Sequence, residues 1–573
     1  MMTPRTKCGA LAAALLVAAS LPLAPPAMAA SDGSTPVNGT GSYLAGRFAQ
    51  HQDDWRAAAQ YMSQALAANP SDLSLLRRAY ILKLGEGEVD TALGLAMRLT
   101  SQDGEPQLSA VLLIADALKR GRLNEAEEMA KRMPREGLAK FIGPLYDAWL
   151  AVARGDTVKA QQALAPLGTA SGFAALHNLH MALVLDLGGK PAEAAEYYRR
   201  AAGTEPPLRV VQLVGNFLER QGRKDEAKTL YKTFRTGNPE SLMIEPALKA
   251  LEAGKPAKPL IADARQGLGE ALFDLGSALH HEGAEETALL FARIALHLRP
   301  DLTLARLMIG DIMEAREHHA EALDEYKGLE QDPALGWAVR LRAAESLARL
   351  ERTDEAIAQF SQLAAERPER TDALVRLGDL YRVAKRYGEA ADTYTKALER
   401  IGTPEERHWA VFYARALSLD KLDKWPLAEA DLKKALELRP DEPYLLNYLG
   451  YSWVDRGQNL DRAKAMIERA VELKPRDGYI VDSLGWALYR IGEFEAAVGK
   501  LERAVELRPV DSTINDHLGD AYWRVGRRTE ARFQWQRALR TAEEEKEKEA
   551  ISAKMEKGLP EQQAAKAEPP KAQ

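Results

Sequence analysis

The sequence predicts an all-α solenoid: a row of about fourteen helical hairpins in place of one globular core. Three observations carry this expectation. The first is a period. Alanines preceding an apolar helical run recur at Ala58, Ala92, Ala126, Ala160, Ala194 and Ala227, then at Ala288, Ala322, Ala356, Ala390, Ala428, Ala463, Ala497 and Ala531. The step is 33 or 34 residues in the first group and 34 to 38 in the second, with one jump of 61 between them. The second is a set of markers in phase with the alanines. Gly46, Gly276, Gly310, Ala344, Gly378, Ala416, Gly485 and Gly519 stand twelve residues before, and Gly450 thirteen before. Pro70, Pro300, Pro368, Pro440, Pro475 and Pro509 stand twelve after. The third is composition. A chain of 573 residues is too long for a single core. With 46% hydrophobic and 28% charged residues it is neither wholly disordered nor a polytopic membrane protein.

Residues 1–29 stand apart from the repeats. Arg5 and Lys7 form a short basic start, an apolar stretch runs from about Ala10 to Leu21, and Pro22, Pro25 and Pro26 break it. Ala27-Met28-Ala29 supplies a small-x-small cleavage pattern, so the segment reads as a secretory signal peptide cleaved after Ala29. The apolar run falls short of the roughly 20 residues a spanning helix needs, so no stable membrane span is expected after cleavage. Cys8, the single cysteine, precedes the apolar run, whereas a lipoprotein acceptor follows it. Lipid anchoring is therefore not expected, and cleavage leaves a thiol-free chain suited to an oxidising compartment. Residues 30–40 read as a linker.

The repeats fill 41–236 as a degenerate N-terminal array and 266–540 as a clearer C-terminal one. Each period reads as two antiparallel helices, A and B. A glycine or alanine where A meets B lets the backbones approach, and a bulky replacement overpacks the contact at about 1–3 kcal/mol. The proline ends helix B, since it lacks a donor and its ring clashes with the preceding turn. Each hairpin buries its apolar face only against its neighbours. Leu-Gly at 449–450, 484–485 and 518–519 repeats the most regular element. Together these residues resemble the tetratricopeptide repeat, or TPR. Between the arrays, 237–265 carries Pro239, Pro246, Pro256 and Pro259 around Ile244–Leu251, and reads as an inserted helix and linker, either a hinge or a packed connector. In 541–573, the mixed charges of Glu543–Lys548 prolong or cap the last helix, and a disordered tail is expected from Leu559.

No catalytic constellation stands out. Gly267-Leu-Gly269 begins like a dinucleotide fingerprint, but Leu272 takes the third glycine position and no strand precedes it. The histidine pairs His280-His281 and His318-His319 lack metalloprotease spacing, and one cysteine excludes a multi-cysteine zinc site. No nucleophile elbow or phosphate-binding loop occurs. The net charge of −6 gives no basic footprint for nucleic acid. The chain reads as non-enzymatic, with no catalytic residue, metal or cofactor.

The TPR resemblance implies that A helices line a concave face. With the small residue as position 8, positions 2, 5, 9, 12 and 13 then face the groove. Around Gly450 these are Tyr444, Asn447, Tyr451, Val454 and Asp455; around Gly485 they are Tyr479, Asp482, Trp486, Tyr489 and Arg490. Around Gly519 they are Thr513, Asp516, Asp520, Trp523 and Arg524. The same positions around Gly378 hold no aromatic, so the aromatic strip is local to 444–524. Six aromatics interspersed with Asn, Asp and Arg have the composition of a protein-binding hot spot. The competing reading is that these rings pack successive A helices together. Trp453, Tyr522 and Trp535 take core phases.

Three stretches carry a closer resemblance: Tyr448-Leu-Gly-Tyr-Ser-Trp-Val-Asp455, Asp477-Gly-Tyr-Ile-Val-Asp-Ser-Leu-Gly-Trp486 and Ile514-Asn-Asp-His-Leu-Gly-Asp-Ala-Tyr-Trp523. They resemble the large exported TPR proteins of Gram-negative, alphaproteobacterial-type bacteria, a group similar to LbcA-like adaptors of the carboxy-terminal-processing protease CtpA. The resemblance implies a periplasmic, non-catalytic scaffold that binds envelope proteins or peptide segments along its concave face. Two alternatives accompany it: recruitment of substrates to a periplasmic carboxy-terminal-processing protease, and assembly of outer-membrane or polysaccharide machinery. The chain departs from the lipoprotein members in lacking their lipobox cysteine.

Overall fold

The computed structural model describes residues 39–102, 107–239 and 241–560. The expected signal peptide, the linker before residue 39 and the tail beyond residue 560 lie outside the described residues. Among the described residues there are thirty α-helices and no strand, and no helix is long and apolar enough to cross a membrane. The chain divides into two compact units, Met1–Leu113 and Ile114–Gln573.

The first unit holds α1 (Gly39–His51), α2 (Trp55–Ala68), α3 (Leu73–Gly85) and α4 (Val89–Gln102), and the division falls within α5 (Gln107–Lys119). The second continues with α6 (Leu123–Arg132), α7 (Ala139–Ala153), α8 (Thr157–Thr169), α9 (Ala174–Leu187), α10 (Pro191–Ala202), α11 (Leu208–Arg220) and α12 (Lys224–Gly237). A short α13 (Glu245–Glu252) follows, then α14 (Ala264–His281), α15 (Glu285–Leu298), α16 (Thr303–Ala315), α17 (His319–Lys327), α18 (Gly336–Arg349), α19 (Thr353–Glu366), α20 (Asp372–Val383) and α21 (Tyr387–Ile401). A 3-10 turn at Glu406–His408 leads into α22 (Trp409–Asp420), α23 (Trp425–Leu438), α24 (Pro443–Asp455) and α25 (Leu460–Leu473). The last elements are α26 (Gly478–Ile491), α27 (Phe494–Leu507), α28 (Ser512–Arg524), α29 (Arg528–Thr541) and α30 (Glu545–Lys557). Setting α13 and α30 aside, the helices form fourteen A–B hairpins.

The periodic residues explain this regularity. All fourteen marker alanines, from Ala58 to Ala531, lie in B helices and have no exposed surface. Four residues after the alanine, a large B-helix side chain lies on the A-helix glycine. A Cβ on Gly310 would stand 2.3 Å from the Tyr326 ring, one on Gly378 2.6 Å from Tyr394 and one on Gly519 2.4 Å from Trp535. Only glycine permits that approach. The ring's polar edge is then satisfied by the residue after the glycine: Tyr326 donates to Asp311 (3.2 Å), Tyr394 to Asp379 (2.7 Å) and Trp535 Nε1 to Asp520 (2.9 Å). The B helices α2, α15, α19, α23, α25 and α27 each end two residues before the periodic prolines. Each A–B turn contains at least one residue with left-handed backbone, such as Gly526 at φ 85° and Lys385 at φ 59°.

Within the second unit the inserted segment redirects the chain. After α13, helix α14 lies against the A helices α7 and α9. Gly267 sits where a Cβ would be 2.2 Å from the Trp149 indole. Glu270, with no exposed surface, receives Arg209 of α11 at 2.6 and 2.7 Å and Arg299 at 2.8 Å. Burial raises the Glu270 pKa, but the two guanidiniums outweigh it and hold the carboxyl below its usual range. His180 Nε2 lies 3.2 Å from Asp274, and His297 Nε2 lies 3.1 Å from Asp116 of α5. The A helices of these N-terminal hairpins are thus contacted by the chain's own α14 and α15.

Candidate functional site

The predicted groove residues stand on three successive A helices, α24, α26 and α28, and the structure sorts them into three groups. The first lines an open cleft of about 240 Å³ bounded by Asn447, Tyr448, Tyr451, Tyr479, Asp482, Ser483, Asp511, Thr513 and Ile514. Asn447 carries a buried side-chain oxygen with no hydrogen-bond partner. Tyr451 is half-buried, and burial pushes its hydroxyl up to about 12. Tyr479 is 45% exposed, with the Arg508 guanidinium 4.3 Å above its ring. Tyr444 flanks this region and is held by Lys474, whose Nζ donates to its hydroxyl at 2.8 Å.

The second group ties α26 to its neighbours. Asp482 is buried, and both its oxygens lie 3.0–3.1 Å from His517 Nδ1. Trp486 stacks on His517 at 4.1 Å and on Tyr489 at 4.8 Å, leaving its indole N–H buried without a partner. Tyr489 is itself buried, and its hydroxyl accepts from Arg524 at 3.2 Å. Arg490 donates to the Asp455 carbonyl at 3.2 Å.

The third group meets α30. Lys554 Nζ lies 2.6 Å from Asp516 and 2.9 Å from Asp520. A Cβ on Gly558 would stand 2.0 Å from the Trp523 ring. Arg524 donates to the Pro560 carbonyl at 2.7 Å. Trp453 and Trp535 have no exposed surface and Tyr522 is buried, so these three rings pack the core.

A family model described as tetratricopeptide repeat matches residues 341–404, 413–478, 455–512 and 483–547. Residues 341–404 and 413–547 are tetratricopeptide repeats. The matched segments include the whole of α24, α26 and α28 and the hairpins that carry the aromatic strip. TPR arrays are protein-interaction scaffolds. Among solved structures, a TPR protein from Parabacteroides merdae shares 17% identity, covering 44% of this chain and 97% of that chain with a TM-score of 0.35. The APC/C hetero-tetramer Cut9–Hcn1 shares 15% identity, covering 91% and 97% with a TM-score of 0.37. YrrB, a TPR protein with an unusual peptide-binding site, shares 23% identity, covering 33% and 92% with a TM-score of 0.27. No curated protein matches the chain.

A larger cleft, about 1610 Å³, opens between the B helices α10 and α12 over α11. Among its rim charges, Arg199 pairs with Glu196 and Arg223 with Glu226. The smaller C-terminal cleft has less room and is lined by Asn447, Tyr448, Tyr451 and Tyr479.

Two features escaped reading by phase. Position 9 is shared between the groove and the hairpin interior, as Asp311, Asp379 and Asp520 show. The signal was present as Gly-Asp followed fifteen residues later by Tyr or Trp. His517, at a position between the groove and core phases, was missed because its role depends on Asp482 one repeat earlier.

Proposed function

We propose that this TPR protein is a non-catalytic periplasmic scaffold that holds a segment of another envelope protein along the concave face of α24, α26 and α28. The observation that carries the reading is the cleft at Asn447, Tyr451 and Tyr479. There, rings from successive repeats wall a space lined also by Asn447, whose side-chain oxygen is buried without a hydrogen-bond partner. Such an oxygen suits a backbone N–H of an extended or helical segment, and the rings supply contact area at low entropic cost. The signal-peptide layout of residues 1–29 supports export.

The experiment is capture of partners by the full chain after crosslinking in intact cells. Asn447→Ala and Tyr451→Ala reduce capture while circular dichroism stays unchanged. Capture equal to wild type in both variants contradicts the groove assignment. The resemblance to protease adaptors suggests a finer form, delivery of substrates to a carboxy-terminal-processing protease. Reconstituted proteolysis with and without this protein decides it: faster cleavage supports delivery, and an unchanged rate removes it.

A further inference from the structure

The B helices α10 and α12 do not close over α11. In the C-terminal hairpins the residue eight after the marker alanine is a large aliphatic, Leu436, Val471, Val505 or Leu539, and each packs into or against the core. In α10 the residue eight after Ala194 is Ala202. The smaller side chain leaves α10 lightly seated on α11, and the connection 203–207, ending in Pro206 and Pro207, carries the chain outward before α11 begins.

The gap is the cleft of about 1610 Å³. It follows α10 from Ala192 to Ala202 and α12 from Asp225 to Gly237. Its α10 wall is low, with Ala192, Ala195 and Ala202, and half-buried Leu208, Leu218, Leu230, Phe234 and Met243 supply an apolar lining. With Gly215 as the small residue of α11, none of its groove-phase residues, such as Arg209 and Arg220, lines the cleft. The cleft therefore opens on the side of α11 away from the concave face.

Size and charge point to one kind of occupant. Small-molecule pockets run to about 1,000 Å³, well short of this cleft. A helix rises about 1.5 Å per residue and is about 10 Å across, so the fourteen residues of a helix as long as α12 fill about 1,600 Å³. At the rim, the Arg199–Glu196 and Arg223–Glu226 pairs neutralise themselves. Glu205, beyond the C-terminal end of α10, and Asp225, in the first turn of α12, are exposed and have no ion-pair partner among the described residues. Because α10 and α12 hold equivalent places in successive hairpins, these two carboxylates mark opposite ends of the cleft.

We propose that the cleft between α10 and α12 is a second docking site, separate from the concave face, for an amphipathic helix of about four turns from a partner protein. The apolar stripe of that helix lies on Leu218, Leu230 and Phe234, and a basic side chain near each end meets Glu205 and Asp225. The bound helix fills the place that a large residue at 202 closes in the other hairpins. Met243, from the inserted segment, adapts its unbranched side chain to the end of the helix.

The test uses the full chain and two fluorescent fourteen-residue peptides with the same leucine stripe, one with lysine at both ends and one with glutamate, read by anisotropy. Wild type binds the lysine peptide at least about tenfold more tightly than the glutamate peptide. Glu205→Lys combined with Asp225→Lys, both at exposed positions, reverses that preference. Ala202→Leu restores the side chain of the other hairpins and abolishes binding, while Asn447→Ala, in the C-terminal cleft, leaves it unchanged. No binding by wild type, no preference between the peptides, a preference that survives the double charge reversal, or equal binding by Ala202→Leu overturns the proposal. Self-association of wild type in sedimentation that Ala202→Leu removes makes a second copy of this chain the occupant, and overturns it too.

Discussion

His517 and Asp482 form a buried ion-pair contact across two successive A helices, with Nδ1 3.0 and 3.1 Å from the two carboxylate oxygens. Trp486 covers the imidazole face at 4.1 Å. Burial alone lowers the His517 pKa, but Asp482, with smaller help from Asp516 and Asp520, overcomes it and the net shift is upward. A histidine whose folded pKa exceeds its unfolded value of about 6.5 contributes stability that is full below that value and fades as pH rises through the folded pKa. Thermal unfolding of the C-terminal hairpins is therefore expected at lower temperature as pH rises above neutrality. His517→Gln flattens that slope; an unchanged slope in the variant contradicts the assignment.

The close approach of Gly519 to Trp535 gives a steric prediction. Gly519→Val forces the indole off its seat and breaks its hydrogen bond to Asp520, costing about 1–3 kcal/mol as overpacking. Urea unfolding followed by tryptophan fluorescence measures it. A loss below about 0.5 kcal/mol, the range of ordinary surface substitutions, contradicts the packing account.

The A–B turns give a prediction of opposite signs. Gly526, at φ 85°, tolerates no side chain cheaply, and Gly526→Ala is expected to cost about 1–2 kcal/mol. Lys385 occupies the equivalent turn position at φ 59° and already carries that strain. Lys385→Gly relieves it, offset in part by greater freedom of the unfolded chain, for a net gain of about 0.5 kcal/mol. Chemical denaturation of the two variants reads both signs.

The junction of the two arrays depends on Glu270. Glu270→Ala leaves the Arg209 and Arg299 guanidiniums in a buried site without their shared anion, and a loss of about 3–5 kcal/mol is expected. Hydrogen exchange then shows faster opening of α14 together with α9 and α11. Opening confined to α14, with α9 and α11 unchanged, contradicts the view that this junction is one packed unit.

The period was legible because it is enforced by sterics local to each hairpin: the buried alanine, the glycine under a large ring and the proline after helix B recur at fixed spacing. The positions of groove residues along their helices were legible for the same reason. What packs on the last A helix was not. Lys554 finds Asp516 and Asp520 only because three residues turn α30 back onto α28, and nothing in the charge run Glu543–Lys548 encodes that turn. Likewise Glu270 reads as one more carboxylate on a helix start, until α14 brings it between Arg209 and Arg299. Trp486 and Tyr489 have groove phase, yet their rings are large enough to bridge to the next repeat, which phase alone does not register.

Site-specific photocrosslinking in living cells tests the central claim most directly. A photoreactive residue at Tyr451 or Tyr479, in the cleft, is compared with one at Phe533, which is 59% exposed on helix α29. Discrete protein adducts at 451 and 479, reduced by Asn447→Ala and absent at 533, are the result expected for a scaffold that binds through its concave face. Adducts of equal yield at all three positions, or at 533 alone, contradict it.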